Sequence, residues 1–260
     1  DAVRAARRAF DTGPWRSDAD LRARCLLQLA DIIEERAAEV AQLDTTEIGI
    51  PLDVTTADAV ACASIVREIV DMLPDVNADA VAPSVRVPRG VVAVIAPWNF
   101  PFFVALTKVM PALAVGNTVV LKPTEFASAS AVVLAEMAHD AGVPAGVLNV
   151  VVGDGAVAGD ALVRHPLIDQ VNLTGSLATG RRVLAASAES TLVPVVTELG
   201  GKSAHVVGEH APDLDIVADA IAASIFWCAG QVCTAGSRVI VTEQHHDALV
   251  AKLVDRVAHW

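Results

Sequence analysis

A cysteine in a glycine-rich stretch near the end of the chain has the surroundings of a reactive thiol. Cys233 follows "AGQV", and Gly236 stands three residues after it, so its backbone is predicted to be a loop rather than a regular helix. A free thiol is only slightly ionised at neutral pH, and it needs a base or a local field before it acts as a nucleophile. Its activation therefore depends on polar groups from elsewhere in the chain.

Two residues elsewhere in the chain supply such groups. Glu198 ends a predicted strand beside Gly200 and Gly201, and it is the best candidate for a general base that acts on the thiol or on a water. Asn99, in "PWNF", carries an amide N–H that can donate to a developing oxyanion, an interaction worth roughly 3–4 kcal/mol. A thiol, a carboxylate and an amide donor are sufficient for acyl chemistry. Spacing alone leaves a non-catalytic Cys233 open.

The four cysteines do not have the spacing of a metal site or of a disulfide framework. Cys228 and Cys233 lack C-x-x-C spacing, and no histidine or second cysteine pair stands near them at ligand spacing, so no metal is predicted. Cys25 and Cys62 lie on the apolar sides of predicted helices and are expected to be buried. Four scattered cysteines in 260 residues favour a reducing compartment, which predicts a cytoplasmic location.

The composition argues against several classes of partner. The formal net charge is −12, which disfavours a nucleic-acid surface or an anionic lipid surface. No apolar run reaches the roughly 18 residues that a membrane helix needs, so no membrane partner is predicted. The N-terminus has the pattern of an amphipathic helix rather than of a signal peptide. The first residue is Asp1 rather than Met, which indicates a fragment or a processed product.

The elements that must position these residues alternate regularly. The first 73 residues are predicted to be helical, with Ser17 as the N-cap of a long helix and Pro51 at the start of another. Five strands then alternate with helices, and the predicted strands cover residues 90–97, 117–123, 147–153, 168–176 and 191–201. Strands and helices joined by short turns imply a parallel, doubly wound sheet. A second and smaller α/β group begins after Gly201.

Polar residues and glycines stand where each of the five strands ends. The strand ends carry "PWNF", "KPTE", "GDGAVAG", "LTGS" and "ELGGK". Ligands of open parallel sheets bind beyond the carboxyl ends of the strands, so five such ends in register predict a site.

Two of these ends have the chemistry of a nucleotide site. Lys122 and Glu125 place a cation and a carboxylate three residues apart, and Glu125 could accept hydrogen bonds from ribose hydroxyls. The same carboxylate would repel a 2′-phosphate, which favours NAD over NADP. Ser176 is predicted to cap a helix whose N–H groups favour a pyrophosphate. Each motif taken alone also fits an ordinary turn or helix cap.

Taken together, the chain resembles the NAD(P)-dependent aldehyde dehydrogenase superfamily. Five motifs occur in the family's order between residues 97 and 238: "PWNF", "KPTE", "LTGS", "TELGGK" and "GQVCTAGSR". The resemblance implies that Cys233 is the nucleophile, that Glu198 is the general base, and that Asn99 forms an oxyanion hole with the Cys233 backbone N–H. It implies cofactor contacts from Lys122 and Glu125 at the adenosine ribose, Ser176 at the pyrophosphate, Gly155 on the adenine side, and also from Pro97, Trp98 and Gly200.

The resemblance implies oxidation of an aldehyde to a carboxylic acid through a thiohemiacetal and a thioester on Cys233. NAD is the implied hydride acceptor, with NADP as the other option, and a small aldehyde is the implied partner. The implied organisation is a set of N-terminal helices with a Rossmann-like NAD-binding domain over residues 1–200 and an incomplete catalytic domain over 201–260. Residues 74–88 would form a short oligomerisation arm, and the full-length protein would be a homodimer or homotetramer.

The chain also departs from the family pattern. Cys228 stands where the family usually has Asn, which removes a local hydrogen bond and adds a second thiol. Leu173 replaces the usual Phe of "FTGS", and Thr197 stands where an apolar residue is common. Family members continue well past residue 260, so the chain is expected to be incomplete.

Two other functions stay open at this point. One is a Cys–Glu–Lys hydrolase of amides or nitriles, which would need a lysine near Cys233 and no nucleotide. The other is a non-catalytic nucleotide-binding fragment.

Overall fold

The computed structural model describes residues 1–73, 86–211 and 213–258. The chain divides into two units, Asp1–Glu198 and Leu199–Trp260. The segment predicted as an oligomerisation arm, 74–88, lies outside the described residues except for its last three positions, which have no regular secondary structure.

The N-terminal part of the first unit is helical, as predicted. The helices are α1 (Ala2–Thr12), α2 (Ala19–Glu35), α3 (Ala37–Ile48) and α4 (Leu52–Asp71). The predicted Ser17 cap was wrong by one residue, because the Asp18 side chain accepts a hydrogen bond from the Leu21 N–H at 2.8 Å. Serine and aspartate are both strong cap residues, so local sequence does not choose between neighbours. Cys25 and Cys62 are buried on α2 and α4, as predicted.

A sheet with the strand order β3-β2-β1-β4-β5 forms the centre of the first unit. Its strands are β1 (Val91–Ile95), β2 (Thr118–Lys122), β3 (Leu148–Val150), β4 (Gln170–Gly175) and β5 (Val195–Leu199). β1 pairs in parallel with β2 and with β4, and β2 pairs in parallel with β3. The chain order reverses between β1 and β4, which confirms the predicted doubly wound sheet.

Helices follow the strands of this sheet. They are α5 (Pro101–Ala114), α6 (Ala129–Asp140), α7 (Asp160–Val163) and α8 (Leu177–Glu189). The helix predicted from about residue 156 starts instead as a π-helical turn over Gly155–Gly159, and α7 continues from it. α5 and α6 pack with α2 and α4 into one apolar core, whose largest fully buried side chains include Trp15, Leu26, Phe102, Leu106 and Met137. Burial of each such side chain stabilises the fold by about 1.5–3 kcal/mol.

The strand register brings several strand ends to the same level. Ile95 of β1 pairs with Lys122 of β2 on one side and with Leu173 of β4 on the other. In a parallel sheet the residues that follow these positions leave the sheet at the same edge. The fold therefore directs the segments after β1, β2 and β4 toward one region.

The second unit has a small parallel sheet of its own. It contains β6 (Ala204–Val207), β7 (Arg238–Val241), α9 (Leu214–Phe226), α10 (Glu243–Val257) and a 3₁₀ turn over Trp227–Gly230. Its core is small, with Val207, Ala218, Ile221 and Leu249 buried together. The Asp213 side chain caps α9 by accepting from the Asp215 N–H at 2.8 Å. Its strands and helices follow the order predicted for the residues after Gly201.

Candidate active site

The end of β2 and the turn after β3 form a cluster of three predicted cofactor residues. Lys122 is the last residue of β2, and its Nζ donates to Glu125 Oε2 at 2.8 Å. The Gly155 N–H donates to the other carboxylate oxygen, Oε1, at 3.5 Å. These contacts, led by the Lys122 hydrogen bond, hold the pKa of Glu125 below its ordinary value. The carboxylate is therefore ionised at neutral pH and acts only as a hydrogen-bond acceptor.

The donors and acceptors of this cluster fit a ribose diol. The Lys122 side chain is only 3% exposed, whereas the Glu125 side chain is 37% exposed and can reach a ligand. A Cβ at Gly155 would lie 3.9 Å from Lys122 Nζ and 4.0 Å from Glu125 Oε1, so the side chain of any other residue would stand directly beside the pair. An ammonium that donates and a carboxylate that accepts match two neighbouring hydroxyls, each of which can do both. The negative charge of Glu125 would repel a phosphate on such a hydroxyl.

The end of β4 leads directly into the N-terminus of α8. Ser176 is the N-cap, as predicted, and its Oγ accepts from the Thr179 N–H at 3.1 Å. The other N–H groups at this helix start carry the partial positive charge that favours a pyrophosphate. Two residues earlier, Thr174 Oγ1 is buried and has no hydrogen-bond partner among the described residues. Sequence reasoning assigned no role to Thr174, although its place in "LTGS" was the available signal.

The segment after β1 carries Asn99. The Ala96 N–H donates to the Lys122 carbonyl at 3.1 Å, which extends the β1–β2 pairing to Ala96, just before Pro97. Pro97 is buried, Trp98 is 47% exposed and Asn99 is half-buried. The register places this segment at the carboxyl edge of the sheet, where β2 and β4 also end. The strand-end pattern thus correctly predicted the shared edge.

Glu198 lies near the end of β5, which is an edge strand of the sheet. Exposure alternates along this strand, and Glu198 is one of its exposed residues. A carboxylate that activates a water must be reached by water, so this exposure is consistent with the predicted role of Glu198 as a general base. Glu198 belongs to the first unit.

Cys233 lies in an irregular segment of the second unit, as predicted. The thiol is exposed and is not part of a disulfide. Two tight turns shape the segment, since the Gln231 N–H donates to the Cys228 carbonyl at 3.1 Å and the Ala235 N–H donates to the Val232 carbonyl at 3.2 Å. A Cβ at Gly201 would lie 3.4 Å from the Cys233 carbonyl oxygen, which is van der Waals contact, so the two segments pass close to each other.

The turn that precedes this segment contains a strained cysteine. Cys228 is buried and has a φ of +53°, and Ala229 and Gly230 follow with φ of +54° and +75°. The left-handed region costs a residue with a Cβ about 1–2 kcal/mol, and Asn tolerates it better than Cys does. The resemblance predicts Asn at this position, so the structure gives a conformational reason for that preference.

The predicted catalytic residues are divided between the two units. Asn99 and Glu198 belong to the first unit, whereas Cys233 belongs to the second, as does the predicted cofactor residue Gly200. That Asn99, Glu198 and Cys233 lie together in one site stays a prediction. Among the described residues no group of three or more His, Cys, Asp or Glu side chains could hold a metal ion. No helix in residues 1–73, 86–211 or 213–258 is both long and apolar enough to span a bilayer.

The fold and these strand ends define an α/β protein of the doubly wound class, with a polar cluster suited to a nucleotide. The family model of the aldehyde dehydrogenase family matches residues 1–260. The chain therefore belongs to the aldehyde dehydrogenase family, and the resemblance drawn from the five motifs is confirmed.

Several relatives support this membership. An aminoacetaldehyde dehydrogenase of Pseudomonas aeruginosa is 41% identical over 268 residues, which cover 100% of this chain and 54% of the relative. The NADP/NAD-dependent aldehyde dehydrogenase PuuC of Escherichia coli is 40% identical with the same coverage.

Solved structures agree with these relatives. An NAD-dependent aldehyde dehydrogenase from Sinorhizobium meliloti is 39% identical and has a TM-score of 0.91, with 98% of this chain and 52% of that chain covered. An indole-3-acetaldehyde dehydrogenase in complex with NAD⁺ is 36% identical and has a TM-score of 0.95, with 100% and 54% covered. The chain thus spans about half the length of the relatives that it matches.

Proposed function

We propose that this chain belongs to an enzyme that oxidises an aldehyde to a carboxylic acid and uses NAD⁺ as the hydride acceptor. The observation that carries the proposal is the Lys122–Glu125–Gly155 cluster in a chain of the aldehyde dehydrogenase family. The solved relative in complex with NAD⁺ supports the cofactor. Family membership supports oxidation of an aldehyde over hydrolysis of an amide or a nitrile.

The chain's own residues perform the covalent steps. The Cys233 thiolate adds to the aldehyde carbonyl carbon, and the resulting oxyanion accepts hydrogen bonds from the Asn99 amide and the Cys233 backbone N–H. Bound NAD⁺ supplies the hydride acceptor for the conversion of this thiohemiacetal to a thioester. Glu198 takes a proton from a water, whose oxygen attacks the thioester carbon and releases the acid and the Cys233 thiol.

Other residues hold and select the cofactor. Lys122 and Glu125 bind the adenosine ribose, and Gly155 keeps the adenine side open. Ser176 orders the start of α8, which faces the pyrophosphate. Pro97, Trp98 and Gly200 complete the cofactor contacts in this proposal. NAD⁺ is preferred to NADP⁺ because Glu125 is ionised and repels a 2′-phosphate.

The experiment compares purified protein with its Cys233→Ala variant. The parent should form NADH only when aldehyde is present, and Cys233→Ala should reduce this rate to background while NAD⁺ binding, measured by calorimetry, persists. Cys25→Ala is the matched control, because Cys25 is buried in the helical core away from the strand ends. A parent that hydrolyses amides or nitriles without NAD⁺ would support the hydrolase instead. NAD⁺ binding without any thiol-dependent turnover would support the non-catalytic alternative.

The organisation and setting of the protein are part of the same proposal. Residues 1–200 bind the cofactor and residues 201–260 contribute to a catalytic domain, a division that the two units support. The protein is a homodimer or homotetramer, with residues 74–88 as a contact arm, which light scattering of the purified protein would test. All four cysteines are free, which supports a location in the reducing cytoplasm.

A further inference from the structure

Helices α5 and α6 follow the loops that carry Asn99 and the Lys122–Glu125 pair. Each of them begins without a side-chain cap from its own N-cap residue. α5 starts two residues after Asn99, and α6 starts four residues after Glu125. A helix start leaves backbone N–H groups without intrahelical partners. The N-cap residues here are Phe100 and Ser128, and neither side chain accepts a hydrogen bond from its own helix.

The missing caps come from one other helix, α3. Asp44 Oδ2 accepts from the Phe102 N–H of α5 at 3.4 Å. Glu47 Oε1 accepts from the Ser128 N–H at 3.3 Å, and its Oε2 accepts from the Ala129 N–H of α6 at 3.2 Å. Residues three apart lie on the same side of a helix, so one side of α3 serves two helix starts. A carboxylate there also offsets the positive end of each helix dipole.

The two carboxylates have different surroundings. Asp44 is only 7% exposed, and its second oxygen has no hydrogen-bond partner in the part of the chain that the structure describes. The Ser130 hydroxyl lies near it without normal hydrogen-bond geometry. Glu47 is exposed. α3 itself is held by the buried residues Val40 and Ala41, so it gives both contacts a firm support.

We propose that Asp44 and Glu47 are positioning residues that tie the Asn99 loop and the Lys122–Glu125 loop to one helix. This inference deepens the proposed function and rests on it. Asp44 fixes the loop that carries the oxyanion donor, and Glu47 fixes the loop that carries the ribose-binding pair. Neither carboxylate touches the reacting atoms.

Such a role predicts separate kinetic effects. Asp44→Ala should lower kcat, by up to about a hundredfold if the Asn99 amide moves by about 1 Å, and should leave NAD⁺ affinity nearly unchanged. Glu47→Ala should raise the dissociation constant for NAD⁺ several-fold and leave kcat nearly unchanged. Asp44→Asn and Glu47→Gln keep an acceptor oxygen and should restore most of each loss. A merely structural role would change both parameters together.

Amide hydrogen exchange measures the loops without relying on turnover. Asp44→Ala should speed exchange over residues 97–104 and Glu47→Ala over residues 122–131, each by about two- to thirtyfold, the range expected for loss of a cap. Glu35→Ala is the matched control, because Glu35 is exposed at the end of α2 and forms no ion pair with any described residue. If Asp44→Ala does not fold, hydrogen exchange in Glu47→Ala still tests the inference, because Glu47 is exposed.

Two results would overturn the inference. One is exchange in both loops that matches the Glu35→Ala control. The other is a uniform rise in exchange across residues 1–198, because that would indicate general destabilisation rather than positioning. A parent without aldehyde-dependent turnover would contradict the proposed function instead, and the exchange data would still decide whether α3 holds the two loops.

Discussion

Asp44 gives a prediction about stability that can be worked out from its surroundings. Burial raises the pKa of Asp44 to about 6, and the negative charges of Glu47 and Asp58 add to this effect, while the Ser130 hydroxyl and the Phe102 N–H oppose it. Asp44→Asn removes the titration and keeps an oxygen that can accept from Phe102. The variant therefore isolates the free energy of ionising this one buried group.

The sign and size follow from proton linkage. The native state binds the Asp44 proton more tightly than the unfolded chain, so this stabilisation is complete below pH 3.8 and is lost as pH rises through about 6. The whole effect is about 3 kcal/mol, and about 1.4 kcal/mol of it is lost between pH 5 and pH 7.5. The free energy of unfolding of Asp44→Asn, relative to the parent, should thus rise by about 1.4 kcal/mol over that interval.

Urea denaturation at several pH values would measure this difference. Trp15 is fully buried in the same helical core and donates to the Leu113 carbonyl at 3.1 Å, so its fluorescence should report unfolding of the first unit. Asp71→Asn controls for removal of an exposed carboxylate from a neighbouring helix. Parallel pH profiles for the parent and Asp44→Asn, or a difference that shrinks as pH rises, would refute the reasoning.

Three further changes have defined outcomes. Glu125→Gln should weaken NAD⁺ binding by about tenfold or more, because hydrogen bonds to an ionised group are strong, and should raise the ratio of NADP⁺ to NAD⁺ affinity in calorimetry. Ser176→Ala should lower the free energy of unfolding by about 1 kcal/mol, since the Thr179 N–H loses its cap, and unchanged denaturation would contradict that role. Gly146→Ala should destabilise by more than about 1 kcal/mol in the same assay, because φ is +87° and the new Cβ would lie 2.8 Å from the Ala5 carbonyl oxygen.

Local patterns were enough to predict the sheet and the shared edge of its strand ends. "GVVAVIAP" is a continuous apolar run bounded by Gly90 and Pro97, and it forms the fully buried β1. The spacing in "KPTE" also placed Lys122 and Glu125 together at one strand end, where the structure pairs them. The predicted Ser17 cap was wrong, but the observed cap, Asp18, is the next residue in the sequence.

Contacts between residues far apart in the sequence could not be predicted from such local patterns. Asp44 and Phe102 are 58 residues apart, and Glu47 and Ala129 are 82 apart, so no local pattern links each carboxylate to the helix that it caps. The π-helical turn at Gly155 was also missed, because its glycines and alanines fit an ordinary helix start equally well. Whether Cys233 meets Glu198 depends on how two separate units associate, which residue spacing does not encode.

The Lys122–Glu125 ion pair has a consequence for the thermodynamics of association. A lysine side chain that becomes immobile loses rotamer entropy equivalent to about 1.5–2 kcal/mol. Here the ammonium is already held at 2.8 Å from its carboxylate inside a nearly closed environment, so that loss occurs when the domain folds. A dinucleotide would therefore bind a preorganised surface. Its binding free energy would not be reduced by the entropy cost of ordering Lys122.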